Sequence, residues 1–247
     1  MILFVLFVRA SFADRQKHRY TEYMHSLKIR NVYKSYTQAA GETQVLCGVT
    51  YQFHTNVSYA ISGVSGTGKS TLLHILAGID NPTTGSVLYD DKDLEQMAPV
   101  ERAHFLQKTV GLVFQEAHLI KELTVIENVM LKALVAGMAD RQAYQKAQQL
   151  LMTVGLVEKA DHHPLSLSGG QQQRVAVLRA IFNQPYFLLA DEPTGSLDAE
   201  NAAIVLELLL QALHDGMGLI ICSHDPAIAA RMHHQLVLKQ GILVESR

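Results

Sequence analysis

The segment that most constrains the fold of this chain is glycine-rich and runs Gly63-Val64-Ser65-Gly66-Thr67-Gly68-Lys69-Ser70. The apolar run Val57–Ile61 precedes it, and Leu72, Leu73, Ile75 and Leu76 follow it at helical spacing. This pattern predicts a strand, a tight loop and a helix in direct succession. Glycines let a loop adopt positive φ and present a row of N–H donors, and the helix N-terminus adds its dipole. The segment is therefore a predicted phosphate-binding loop.

The residue types in the loop suit a nucleoside triphosphate. The ammonium of Lys69 can reach the β- and γ-phosphates, and the hydroxyl of Ser70 is a ligand for Mg²⁺. The predicted nucleotide-binding residues of this segment are Gly63, Val64, Ser65, Gly66, Thr67, Gly68, Lys69, Ser70 and Thr71.

Four short apolar runs each end at a residue with recognisable chemistry. They are Val57–Ile61 before the glycine-rich segment, Val110–Phe114 before Gln115, Phe187–Ala190 before Asp191 and Glu192, and Leu219–Cys222 before Ser223 and His224. Runs of this length without alternation are typical of parallel strands buried on both faces. Because ligands collect at the carboxyl ends of such strands, we expect one sheet edge to gather Lys69, Ser70, Gln115, Asp191, Glu192 and His224.

Each of these polar residues also has a simpler interpretation. Asp191 and Glu192 could begin a helix, since acidic residues are common at helix N-termini. Gln115 could be a solvated loop residue, and its position after a strand is what favours a site. Most of the 12 histidines are interpreted as surface groups. The pairs His162-His163 and His233-His234 belong with them, because they lack the cysteine or carboxylate neighbours of a metal site.

A second anion site is predicted where Leu167-Ser168-Gly169-Gly170-Gln171 opens a helix. Ser168 is a natural N-cap, and the two glycines leave their N–H groups uncovered, so the helix N-terminus can bind a phosphate. Val175, Leu178 and Phe182 recur at helical spacing and predict a buried face. The alternative is an ordinary Ser-Gly-Gly loop before a helix.

From about Leu27 to the C-terminus, these motifs, in this order, resemble the ATP-binding cassette (ABC) family. The resemblance implies an α/β fold with a P-loop NTPase (RecA-like) core, an antiparallel β subdomain over roughly residues 27–111 and an inserted helical subdomain at about 115–179. The ATPase domain would span residues 27–247, and residues 1–26 would be an N-terminal extension. ATP and Mg²⁺ are the implied cofactors.

The resemblance also implies a role for each residue. Lys69 binds the β- and γ-phosphates; Ser70, Gln115 and Asp191 surround Mg²⁺; Glu192 is the general base; and His224 contacts the γ-phosphate. The signature residues Leu167, Ser168, Gly169, Gly170 and Gln171 bind the nucleotide held by the other subunit of a homodimer, and Asp198 communicates across that interface. Tyr36 stacks on adenine, with Tyr33 as the competing candidate.

Two further runs, Val113–Val129 and Ala190–Asp198, are similar to the branch that contains the lipoprotein-releasing ATPase LolD and the macrolide exporter MacB. The implied partners are integral permease subunits of the LolC/LolE or MacB type, at the cytoplasmic face of a bacterial inner membrane. Phe114, Leu119, Ile120 and Leu123 lie where the family receives a permease helix. A regulatory ATPase of the cell-division type, which transmits force without transport, and an amino-acid importer ATPase remain alternatives.

Composition agrees with a globular protein that does not bind nucleic acid. The chain is 48% hydrophobic and its net charge is −2, which gives no basic footprint. The longest uninterrupted apolar stretch, Ile2–Val8, is too short to span a bilayer, so membrane association is expected through partners. Cys47 and Cys222 form no motif and are expected to be reduced. The first residues resemble a secretory signal only faintly, and Met24 is the expected natural start.

Overall fold

The computed structural model describes residues 24–38 and 41–246, so the expectations about residues 1–23 lie outside the described residues. The strands are β1 (Ser26–Gln38), β2 (Gly41–His54), β3 (Ser58–Ser62), β4 (Thr84–Tyr89), β5 (Lys92–Asp93), β6 (Val110–Val113), β7 (Phe187–Asp191), β8 (Gly218–Cys222), β9 (His234–Lys239) and β10 (Ile242–Glu245). The helices are α1 (Lys69–Leu76), α2 (Pro99–Lys108), α3 (Val125–Val135), α4 (Asp140–Thr153), α5 (Gly169–Ile181), α6 (Ala199–His214) and α7 (Pro226–Ala229).

A six-stranded sheet forms the centre of the molecule, with the strand order β10-β9-β3-β8-β7-β6. All neighbouring pairs from β9 to β6 are parallel, and β10 pairs antiparallel with β9 at one edge. The four apolar runs of the sequence form β3, β6, β7 and β8. Each strand begins and ends within one residue of the corresponding run. The prediction that their carboxyl ends share one sheet edge is confirmed.

The lack of alternation in these strands has a direct structural cause. In β7, Phe187 and Leu189 pack into one hydrophobic cluster, whereas Leu188 and Ala190 pack into the cluster on the opposite face. Both faces of the strand are thus buried, and burial of each such side chain stabilises the fold by about 1.5–3 kcal/mol. Helix α1 covers one of these faces with the apolar residues predicted for it.

A second, antiparallel sheet with the order β2-β1-β4-β5 lies in the N-terminal half of the described chain. Strand β1 pairs with β2 from Ser26↔His54 to Gln38↔Gly41 and also with β4. Leu27, Ile29 and Val32 of β1 are fully buried and join the same cluster as α1. This sheet is the antiparallel part of the predicted fold, and it adjoins the glycine-rich loop.

Helices α3, α4 and α5 lie between β6 and β7 and supply the predicted helical part. Helix α3 begins at Val125 because Thr124 caps it, in a capping box with Glu127. Buried Asn128 ties the preceding turn to the helix. Its Oδ1 accepts from the Ile120 N–H, and its Nδ2 donates to the carbonyls of Ile120 and Leu123. Within residues 24–38 and 41–246, no helix is both long and apolar enough to cross a membrane.

Candidate nucleotide-binding site

A cavity of about 680 Å³ opens at the carboxyl ends of the parallel strands. Its lining contains all six residues expected at this edge: Lys69, Ser70, Gln115, Asp191, Glu192 and His224. The other lining residues are Val45, Gly63, Val64, Ser65, Gly66, Gly68 and Thr71. The loop, the two acidic residues and the histidine therefore meet at one place, as the four strand ends predicted.

The loop conformation depends on glycine at two positions in particular. Gly68 has φ 99°, and a Cβ there would lie 2.5 Å from Cγ1 of Val45. A Cβ on Gly63 would lie 2.5 Å from the carbonyl oxygen of Leu238. Any larger residue would displace the loop, because neither neighbour is the free end of a flexible side chain. Buried Lys69 begins α1 and donates from Nζ to the carbonyls of Gly63, at 2.9 Å, and Val64.

The two acidic residues at the end of β7 have different surroundings. The Oδ1 atom of Asp191 is buried and has no hydrogen-bond partner among the described residues. Glu192 has φ 43°, a left-handed conformation that costs a non-glycine residue about 1–3 kcal/mol and that marks functional turns. Its backbone N–H donates to the Cys222 carbonyl at 2.9 Å, which fastens the turn to β8. These observations contradict the simple helix-start interpretation, since α6 begins only at Ala199.

His224 contacts Glu192 directly. Its Nδ1 lies 2.9 Å from Oε2 of Glu192, so the ring donates to the carboxylate. The histidine side chain is 73% exposed, whereas the glutamate side chain is only 16% exposed. The buried thiol of Cys222, directly before Ser223 and His224, has its pKa raised by burial and is not a reactive thiolate.

The residues expected at a metal ion fit Mg²⁺. Ser70, Gln115 and Asp191 line the same cavity and offer a hydroxyl, an amide carbonyl and a carboxylate, which are the hard oxygen ligands that Mg²⁺ prefers. A buried carboxylate oxygen without a hydrogen-bond partner is costly in an isolated chain, and a cation would satisfy it.

The signature segment lies apart from this cavity. Ser168 caps α5 in a reciprocal capping box, in which its Oγ accepts from the Gln171 N–H and its own N–H donates to Oε1 of Gln171. Gly169 has open space where a Cβ would stand. Gly170 is buried, and a Cβ on it would lie 2.2 Å from Cγ of Asn201, so this position does not accept a larger residue without displacing Asn201.

Asn201 also joins the signature helix to Asp198. The Asp198 carboxylate caps α6 and accepts from the Asn201 N–H at 2.8 Å and from its Nδ2 at 2.7 Å. Arg174 of α5 reaches Oδ1 of Asn201 at 3.4 Å. The backbone hydrogen bonds from Asn201 and Glu200 lower the pKa of the exposed Asp198 carboxyl, so it stays ionised. The signature segment and Asp198 are therefore held together on one surface of the chain.

The two candidate aromatic residues differ in their placement. Neither Tyr36 nor Tyr33 lines the cavity. The hydroxyl of Tyr33 packs over Gly48, whereas the Tyr36 side chain is 37% exposed and its hydroxyl donates to Asp80. Sequence reasoning missed Val45, which lines the cavity from a bulge in β2, because no local signal marks it.

The parallel sheet, the glycine-rich loop at its carboxyl edge and the acidic strand end define a P-loop nucleotide-binding protein. A family model described as ABC transporter matches residues 46–195. The chain belongs to the ABC transporter family. The predicted fold class and the predicted enzyme class, an ABC-type ATPase, are confirmed.

Several curated relatives are similar over most of their length. The lipoprotein-releasing system ATP-binding protein LolD of Shewanella frigidimarina is 42% identical over 218 residues, which is 88% of this chain and 91% of the relative. The protein of that name from Legionella pneumophila (strain Paris) is 43% identical over 219 residues, covering 88% and 96%. A solved dimer of the ATP-binding cassette MJ0796 bound to ADP and Pi superposes with a TM-score of 0.82 at 33% identity, covering 90% of this chain and 99% of that one. The similarity to the LolD branch is confirmed.

Proposed function

We propose that this chain is the ATP-hydrolysing subunit of a membrane complex that releases lipoproteins. One observation carries the proposal: Lys69, Ser70, Gln115, Asp191, Glu192 and His224 line one cavity, whereas none of the five signature residues lines it. That separation suits a site completed by a second chain. The names of the relatives favour lipoprotein release over cell-division regulation and amino-acid import.

Within the cavity, each side chain has a role that follows from its chemistry. The ammonium of Lys69 and the loop N–H groups bind the β- and γ-phosphates of ATP. Ser70, Gln115 and Asp191 would hold Mg²⁺, which neutralises phosphate charge when bound. Glu192 orients the attacking water and accepts its proton. His224 holds the Glu192 carboxylate at 2.9 Å and lies where it can also reach the γ-phosphate.

The second phosphate clamp belongs to the partner's site. In a two-fold homodimer, Ser168 and the uncovered N–H groups at the start of α5 would meet the γ-phosphate bound by the other subunit. Asp198 lies beside that clamp, tied to it through Asn201. Phosphoryl transfer depends mainly on positioning and charge, so hydrolysis becomes conditional on closure of the dimer. The dimeric cassette MJ0796 supports this arrangement.

The helical part offers a surface for a permease. A groove of about 720 Å³ runs between α3 and α4, and three of the apolar residues that line it are Leu123, Leu131 and Tyr144. Of the four residues expected to receive a permease helix, Leu123 lines this groove and Ile120 is 39% exposed. Leu119 lies against the hydrophobic core, and the Phe114 ring lies against His74 and His118. We propose that the groove binds a cytoplasmic helix of LolC/LolE-like subunits at the inner membrane.

Capture of the membrane partner tests this function. We expect a tagged chain, extracted from its own membranes in mild detergent, to bring down an integral protein with a large periplasmic domain. Leu131→Asp in the groove should reduce the capture at least tenfold while ATPase activity of the isolated chain is kept. Ile242→Asp on the exposed edge strand β10 is the matched control and should leave the capture unchanged. Capture of a small four-helix partner, or of an amino-acid permease, would contradict lipoprotein release.

A further inference from the structure

Three side chains outside the cavity form a compact cluster around Tyr36. The Asp80 carboxylate accepts from Nζ of Lys34 through Oδ1, at 2.7 Å, and from the Tyr36 hydroxyl through Oδ2, at 2.9 Å. The same Lys34 ammonium lies over the Tyr36 ring, 4.9 Å from its centroid. The ring is thus held at its hydroxyl by a carboxylate and on one face by a cation.

The cluster is anchored to the helix that begins in the phosphate-binding loop. Asp80 follows the end of α1, and its N–H donates to the carbonyl of His74 in that helix. Lys34 also donates to the Asn81 carbonyl at 2.7 Å, and Arg102 donates to Oδ1 of Asn81. The position of the ring is therefore defined relative to α1 as well as to its own strand.

The charges of Asp80 and Lys34 favour a stable ion pair. Burial raises the pKa of Asp80, but the hydrogen bonds from Lys34 and Tyr36 outweigh it and leave the pKa of that carboxyl below its usual value. Asp80 is thus ionised at neutral pH and accepts from both partners. The Lys34 side chain is only 11% exposed, so this ion pair is better protected from solvent screening than a surface pair.

The sheet register places Tyr36 close in the sheet to a residue that lines the cavity. Ser35 pairs with Gln44 and Lys34 with Leu46, so Val45 stands in a bulge of β2 directly beside this part of β1. Val45 lines the cavity, and Tyr36 is paired with Thr43, two residues away. Tyr36 is 37% exposed and is therefore accessible to a ligand.

We propose that Asp80, together with Lys34, is a positioning residue that fixes the Tyr36 ring as a platform for the base of the nucleotide. This inference rests on the proposed stacking of adenine on Tyr36. A ring already held in one orientation loses less rotamer freedom on binding, so more of the stacking free energy contributes to affinity. The phosphates are bound elsewhere in the cavity and should not sense the change.

The test compares a ligand that has a base with one that lacks it. Asp80→Ala should weaken binding of adenylyl imidodiphosphate about three- to tenfold, measured by titration calorimetry with Mg²⁺, and should leave inorganic tripolyphosphate binding unchanged. Tyr36→Ala should weaken the nucleotide by about tenfold or more. The double variant should be no weaker than Tyr36→Ala alone, because Asp80 acts through the ring.

Two variants serve as controls. Asp80→Glu keeps both carboxylate oxygens as acceptors and should bind the nucleotide more tightly than Asp80→Ala does. Asp91→Ala removes a carboxylate whose side chain is 87% exposed and should have no effect. If Tyr36→Ala weakens the nucleotide and Asp80→Ala does not, or if Asp80→Ala weakens both ligands equally, the positioning role is wrong. If Tyr36→Ala leaves affinity unchanged, the stacking itself fails, and the positioning role fails with it.

Discussion

At the scale of single residues, the most telling position is Glu192. Its left-handed backbone is a strained choice for a non-glycine residue, and it turns the chain directly after a fully buried strand. The turn places Glu192 beside His224 at 2.9 Å, and Asp191, one residue earlier, keeps a buried carboxylate oxygen free of hydrogen bonds. The two adjacent carboxylates thus have different surroundings. Those of Asp191 suit a metal ion, and those of Glu192 suit a water molecule.

Replacing Glu192 by Gln tests the assignment of the base. The amide keeps the size and hydrogen bonding of the side chain but cannot accept a proton, so we expect turnover to fall by about 10²–10⁴-fold while ATP affinity is kept. Size-exclusion chromatography with ATP should show an accumulated dimer. Glu158→Gln, at an exposed position, is the matched control. Hydrolysis by Glu192→Gln at close to the normal rate would mean that another group is the base.

At the scale of elements, the junction between the helical part and the sheet is held by cations bound to carbonyl groups. Lys132 of α3 donates to the carbonyls of Leu106 and Val110, and Arg179 of α5 donates to those of Ala117 and His118. Burial lowers the pKa of Lys132 to about 8, with a further contribution from the like charge of Arg179. These contacts fasten the helices to the segment that contains Gln115.

The lowered pKa predicts how stability depends on pH. Folded chains lose the Lys132 proton near pH 8, whereas unfolded chains keep it to about 10.5, so between these values the unfolded state binds more protons and stability rises with pH. We expect Lys132 to contribute a rise of about 2 kcal/mol in the free energy of unfolding from pH 7.5 to 9.5. Lys132→Met should lack this rise in denaturant titrations, while Lys108→Met, at an exposed lysine, should keep it. Equal pH dependence in both variants would contradict the assignment.

At the scale of the whole molecule, the residues predicted to bind phosphate lie in two separate parts of the chain. The cavity holds the loop and the acidic residues, and the start of α5 presents Ser168 beside Asp198 and Asn201. The signature residues do not line the cavity, so we expect a second chain to complete the site. The geometry therefore predicts that function is a property of a pair of chains.

Mixing two inactive variants tests this prediction. Ser168→Arg spoils the clamp that a chain offers to its partner, and Glu192→Gln spoils the site that a chain builds for itself. A mixed dimer has one intact site, so equal amounts should recover up to about a quarter of normal ATPase activity. A mixture of Ser168→Arg with the double variant contains no intact site and is the control. Recovery in neither mixture, or full activity of Ser168→Arg alone, would contradict the shared site.

Much of the fold was predictable because its signals are local. Strands buried on both faces produce the apolar runs Phe187–Ala190 and Leu219–Cys222, and the tight loop before α1 needs glycine at Gly68 whatever surrounds it. Helix ends were less predictable. The predicted helical part has no start residue in the sequence pattern, and α3 starts at Val125 because side chains that fold back on the preceding turn, such as Asn128, decide where the helix begins.

The sequence by itself predicted which residues belong to the phosphate site, since the loop, the strand ends and the signature are each defined by contiguous residue types. Only the tertiary structure decided which residues from distant parts of the chain contact them. Three such contacts join segments far apart in the chain. They are Gly170 with Asn201, Val45 with the glycine-rich loop, and Asp80 with the hydroxyl of Tyr36. Strand register and helix packing bring these residues together, and no local sequence pattern encodes the distances between them.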